Sequence, residues 1–75
     1  MLSDDIKADS FTEFVVENET RLRHALTAAF GPERGREAAA EALAYGWEHW
    51  DRIRQMENPA GYLYRVGRDR ARRMT

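Results

Sequence analysis

Residues 58–73 read NPAGYLYRVGRDRARR, and the fold class turns on them. Asn58 followed by Pro59 is a helix start. An asparagine side chain accepts from a first-turn N–H, and proline at the first helical position gives up a donor that has no partner there. Beyond it, Leu63, Val66 and Gly67 recur at helical spacing and form an inner row, with Ala71 at its edge. Arg65, Arg68 and Arg72 fall on the far side, within an arc of roughly 60° at 100° per residue. Arg70 falls on the inner side; either its stem carries the charge out to water or the core stops at Gly67. The stretch predicts an amphipathic helix whose outer face is a row of guanidiniums.

Upstream, a second helix is expected from Pro32 to about Ile53. Pro32 suits a first helical turn and Glu33 suits its dipole. Ala39, Leu43, Gly46, Trp50 and Ile53 alternate in steps of four and three, which makes one apolar stripe with Trp47 at its edge. Glu37, Glu41 and Glu48 lie on the opposite side, with Tyr45 beside them. The slim run Ala38-Ala39-Ala40 permits close approach, by a neighbouring helix or by a partner. A first helical segment opens at Ser10, where Ser10 and Glu13 have the spacing of a capping box. It continues through Phe11, Phe14, Val15, Leu22, Ala25, Leu26 and Phe30, and Gly31-Pro32 ends it. At Asn18-Glu19 an apolar residue is missing, so a kink or two short helices is expected there. No stretch has strand periodicity. The expected fold is all-α, a small bundle of three to four helices over residues 10–75, with 1–9 a flexible tail.

A chain of 75 residues is one domain, whose core supports only about 3–5 kcal/mol. It has no cysteine, which rules out disulfides and thiolate metal sites and fits a reducing cytoplasm. The acidic, polar start does not resemble a signal peptide, and no apolar run nears the roughly 20 residues of a membrane helix. The net charge of −1 conceals a split. Residues 1–50 carry five basic and ten acidic side chains, and residues 51–75 carry seven arginines against three acids, giving −5 and +4. Such a chain can offer an acidic face to one partner and a basic face to a polyanion. A mixed surface that keeps the protein in solution is the other reading.

Nothing in the sequence assembles a catalytic centre. No serine stands beside a base, His24 and His49 lie on different helices without metal-ligand spacing, and no glycine-rich loop follows a strand. Neither cofactor nor metal is expected, and the chain is expected to bind rather than to catalyse. The arginine row is more informative, because a planar guanidinium matches phosphate and stays charged. Arg52 and Arg54 extend it upstream, and Trp47, Trp50, Tyr62 and Tyr64 are interleaved with it. Aromatic rings can stack unpaired bases, at about 1–3 kcal/mol each, but Trp47, Trp50 and Tyr62 also suit a core. The polar segment 51–58 ends at a helix start whose Ala60 and Gly61 N–H groups can meet an anion or a base edge.

These residues resemble the second conserved region of bacterial sigma factors, in the extracytoplasmic-function group of the sigma-70 family. Members carry a helix of the type AEDLVQEAFLRAW, a short loop, and then NPRAWLYTIARNRA. Here the stretches read GREAAAEALAYGW (35–47), EHWDRIRQME (48–57) and NPAGYLYRVGRDRARR. Glu41, Trp47, Asp51, Asn58-Pro59, Leu63-Tyr64 and Arg68 match, and FTEFVVENETRLRHALTAAFG (11–31) resembles the family's opening helices. Glu37, Ala38-Ala39, Ala40, Tyr62 and Asp69 stand where the family has aspartate, leucine-valine, glutamine, tryptophan and asparagine. The resemblance implies a helical domain with two binding surfaces. One docks on the β′ coiled coil of core RNA polymerase, which makes Glu37, Glu41 and Tyr45 polymerase-binding candidates. The other takes the non-template strand of the promoter minus-ten element as it melts. That assigns Arg52, Arg54 and Asn58 to the loop that captures a base, and Tyr62, Arg65, Arg68 and Arg72 to the helix along the strand. An anti-sigma factor is a further partner the family admits. The family's helix-turn-helix for the minus-thirty-five element does not fit in 75 residues, so a longer factor is the expected parent.

Overall fold

A computed structural model describes residues 4–74, and among them every regular element is helical. The chain forms α1 (Asp4–Phe30), α2 (Pro32–Glu48), the single turn α3 (Trp50–Ile53) and α4 (Pro59–Arg73). The all-α bundle is therefore as expected. Helix α2 packs along both α1 and α4, and α3 folds the chain back beneath the first half of α1.

Helix α1 differs from expectation at two places. It begins at Asp4, so the segment expected as a flexible tail is helical from residue 4, while residues 1–3 lie outside the described residues. Ser10 is consequently inside the helix and caps nothing. Its Oγ instead accepts from the Trp50 indole N–H at 3.1 Å. The added turns are held from outside, by Lys7 Nζ 4.3 Å above the Trp47 ring and by Phe11 packed on Trp47 and Trp50. Nor does the helix break at Asn18-Glu19. The Asn18 amide donates to the Phe14 carbonyl one turn back at 2.9 Å, so a half-buried polar group is satisfied without leaving the helix.

Gly31 terminates α1 in the left-handed region, at φ 92°, with its N–H on the Thr27 carbonyl at 2.9 Å. Pro32 then starts α2. The expected run to Ile53 is interrupted. Helix α2 stops at Glu48, and His49 adopts φ −116°, ψ 21° before α3 begins. That break turns Trp50 and Ile53 into a core with Leu63, walled by Phe11 and Phe14, and leaves Trp47 40% exposed. A second core joins Leu22 and Leu26 to Ala38, Ala39, Ala42 and Ala71. Ala71, placed at the edge by helical spacing, is fully buried.

Small residues set how closely the helices approach. A Cβ on Gly35 would overlap the Thr27 backbone, and one on Gly67 would stand 2.7 Å from Leu26 Cδ1. The alanine run is divided between two environments: Ala38 and Ala39 are buried within the bundle, while Ala40 is exposed. Burying Leu26, Ile53 and Leu63 completely contributes about 1.5–3 kcal/mol each. That anchors α4 and fixes which of its side chains face outward.

Candidate nucleic-acid interface

Helix α4 starts as its sequence requires. The Asn58 side chain accepts from the Gly61 N–H at 3.0 Å, and Pro59 occupies the first position. The cap uses the Gly61 N–H, which is therefore not an open donor for a ligand.

The arginines of α4 divide into three kinds. Arg65, Arg72 and Arg73 are exposed and make no ion pair or hydrogen bond among the described residues. Arg68 does not project as the others do. It is half-buried, with its Nε enclosed and without a hydrogen-bond partner among the described residues. The cause is helical phase: Arg68 lies four residues after Tyr64, which packs against the first core. Arg70, on the inner side, extends past the core to Glu41. Its Nη1 lies 3.2 Å from Glu41 Oε1, with its guanidinium 5.8 Å from the Tyr45 ring centre.

Between α3 and α4 a second group forms. Arg52 is exposed, and its Nη2 donates to the Tyr45 phenol at 3.2 Å. The Tyr45 and Tyr62 hydroxyls are 3.4 Å apart, and the Arg52 guanidinium lies 5.7 Å from the Tyr62 ring centre. The two phenols, Tyr62 foremost, raise the Arg52 guanidinium above its ordinary value. The Tyr62 phenol is lowered, first by the hydrogen bond with Tyr45 and then by Arg52. Arg54 is exposed two residues on, without an ion pair among the described residues.

On the other flank of α4, a groove of about 480 Å³ runs between its first turn and α1. Phe14, Leu22 and Tyr64 supply apolar walls, and Asn18, Arg21 and Asn58 supply polar ones. Arg21 was not singled out from sequence. Its Nη2 reaches the Glu17 carbonyl at 3.3 Å and Asn18 Oδ1 at 3.5 Å. Nothing local marks it, because its place depends on where α4 lands against α1.

The three polymerase-binding candidates do not share one environment. Glu37 is exposed, Glu41 is paired with Arg70, and Tyr45 is half-buried among Arg52, Tyr62 and His49, whose ring lies 4.3 Å from its own. Tyr45 was expected beside the acidic stripe. Arg52, expected in the loop, lies instead in the single turn α3, and Tyr45 stands between it and Arg70, the partner of Glu41. Trp50 and Tyr62, weighed as stacking rings, are a buried core residue and a half-buried ring walled by Arg52. Among the described residues no three His, Asp or Glu side chains stand together as a metal site, and no helix is long and apolar enough to cross a membrane. No family model, curated protein or solved structure matches the chain.

Proposed function

We propose that this chain is a sigma region-2 domain, which binds core RNA polymerase through α2 and the melted minus-ten non-template strand through α3, the 54–58 connection and α4. The observation that carries the reading is the set of uncompensated guanidiniums. Arg52, Arg54, Arg65 and Arg72 are exposed and meet no carboxylate among the described residues. Arg52 and Arg54 precede the capped start of α4, Arg65 and Arg72 lie along the helix, and an apolar-walled groove with room for an unstacked base lies between its first turn and α1. Cations that keep their charge free attract phosphates, while half-buried rings and a groove favour a single strand over a duplex. Extruding a base costs a few kcal/mol, which stacking and polar contacts in such a groove offset. The domain on this reading catalyses nothing and works in the cytoplasm, where its promoter lies.

The test is fluorescence anisotropy with a labelled single-stranded minus-ten oligonucleotide, run across a salt series. Affinity that falls as salt rises, and that exceeds affinity for the same sequence as duplex, is expected. Binding indifferent to salt would remove the basis of the reading. A β′ coiled-coil fragment supplies the second arm, and no complex at tens of micromolar, about −6 kcal/mol, would remove the polymerase half. A second reading, a protein-interaction module without nucleic acid, has its own support in α2. Ala40 and Ala44 are exposed between Glu37 and Glu48 and leave room for a basic helix. It predicts capture of such a partner with no dependence on the arginines of α4.

A further inference from the structure

Among the described residues four arginine side chains have partners, and they are held in different ways: Arg21 meets only the Glu17 carbonyl and the Asn18 amide oxygen of its own helix. Arg23 is paired with Glu19 and Arg70 with Glu41, so each of those charges is opposed by a carboxylate. Arg52 is held by phenols instead, through the Nη2 bond to Tyr45 at 3.2 Å and its placement 5.7 Å from the Tyr62 ring centre. A neutral phenol fixes a guanidinium without cancelling its charge. Glu48, Asp51 and Glu57 are near Arg52 in sequence, yet none forms an ion pair with it among the described residues. Of the five N–H donors of a guanidinium, the two phenols engage at most two and leave at least three for a ligand. Tyr45 is itself fixed, by the His49 ring at 4.3 Å, the Tyr62 ring at 6.4 Å and the Arg70 guanidinium at 5.8 Å.

Resting on the nucleic-acid reading above, we propose that Tyr45 is a positioning residue of that interface, whose hydroxyl holds Arg52 ready to take a phosphodiester of the bound single strand. This moves Tyr45 from the polymerase side to the nucleic-acid side, although the strand need not touch it. An arginine free in solution loses rotamer freedom when it grips a phosphate, and the phenol removes part of that loss beforehand.

The experiment is a double-mutant cycle with four proteins: the parent, Tyr45→Phe, Arg52→Ala and both together. Each is titrated with the same labelled single-stranded minus-ten oligonucleotide over a salt series. Tyr45→Phe keeps the ring and every charge. It should weaken binding about three- to tenfold, the size of one side chain's ordering cost, with the salt slope unchanged. Arg52→Ala should lower the slope by about 0.7, the value of one phosphate contact on a single strand. In the Arg52→Ala background, Tyr45→Phe should have no further effect. A merely structural tyrosine would weaken binding equally in both backgrounds, and that result overturns the proposal, as does parental affinity in Tyr45→Phe. If the parent shows no salt-dependent binding at all, the nucleic-acid reading itself fails, which is a separate outcome.

Discussion

Replacing Arg65 and Arg72 together by alanine isolates the charge of α4 from its packing. Both side chains are exposed and make no ion pair or hydrogen bond among the described residues, so the bundle should not register their loss. The electrostatic effect follows from counting. The four open guanidiniums assigned to the strand, Arg52, Arg54, Arg65 and Arg72, each meeting one phosphate at about 0.7 of a slope unit, give log K against log salt a slope of about −2.8. Without two of them the slope should be about −1.4. At 0.1 M salt the difference amounts to about 25-fold in affinity, since the counterions released scale as salt to the power 1.4. The assay is anisotropy of a labelled single strand at four or five salt concentrations, with a thermal melt of each protein alongside. Equal slopes for parent and variant would refute the reasoning even if affinity fell. A fall in the melting midpoint would mean that these side chains support the fold.

Three further outcomes follow from the geometry. Gly35→Ala forces a Cβ into the Thr27 backbone, so urea denaturation should show a loss of at least about 1–3 kcal/mol, and a change within 0.5 kcal/mol would contradict the close α1–α2 approach. Ser10→Ala leaves the Trp50 indole N–H without its acceptor and should cost about 1 kcal/mol, read by the same method, whereas a capping role would instead show as fraying before residue 10. The Tyr62 phenol should titrate below its ordinary value in an ultraviolet pH titration, and Tyr45→Phe should return it upward. Because the folded value is the lower one, its contribution to stability is present above the unfolded phenol value of about 10 and is lost as pH falls through the folded value. Neutral-pH stability should not change through this group.

Features that depend on a few adjacent residues were legible in the sequence. Asn58-Pro59 starts α4, because a cap and a first-turn proline act within four residues. Gly31-Pro32 separates α1 from α2, since glycine adopts the left-handed turn and proline resumes the helix. Leu63 and Gly67 of the inner row could be read from periodicity alone, whereas Ala71, read as an edge position, is fully buried. What could not be read depended on contacts distant in sequence. Asn18 is the local exception: it resembles a helix break, yet its amide bonds the Phe14 carbonyl one turn back. Residues 4–9 look like a tail until Trp47 and Trp50 are placed beneath them. The end of α2 at Glu48 reflects the need to bury Trp50 and Ile53 together with Leu63. The candidate site divides the same way. The charges were visible as a row, but that Arg68 lies half-enclosed and that Arg70 pairs with Glu41 require α4 to be packed in the bundle, and that Tyr45 meets Arg52 requires the break at His49.

The central claim is tested most directly by amide and arginine side-chain NMR of the isotopically labelled domain, titrated with the single-stranded minus-ten oligonucleotide. The account predicts shifts that cluster at Arg52, Arg54, Asn58, Arg65 and Arg72 and reach Tyr45, with Glu37, Ala40, Ala44 and Glu48 on the outer face of α2 unmoved. Shifts confined to that acidic face, or none at saturating strand, would contradict it.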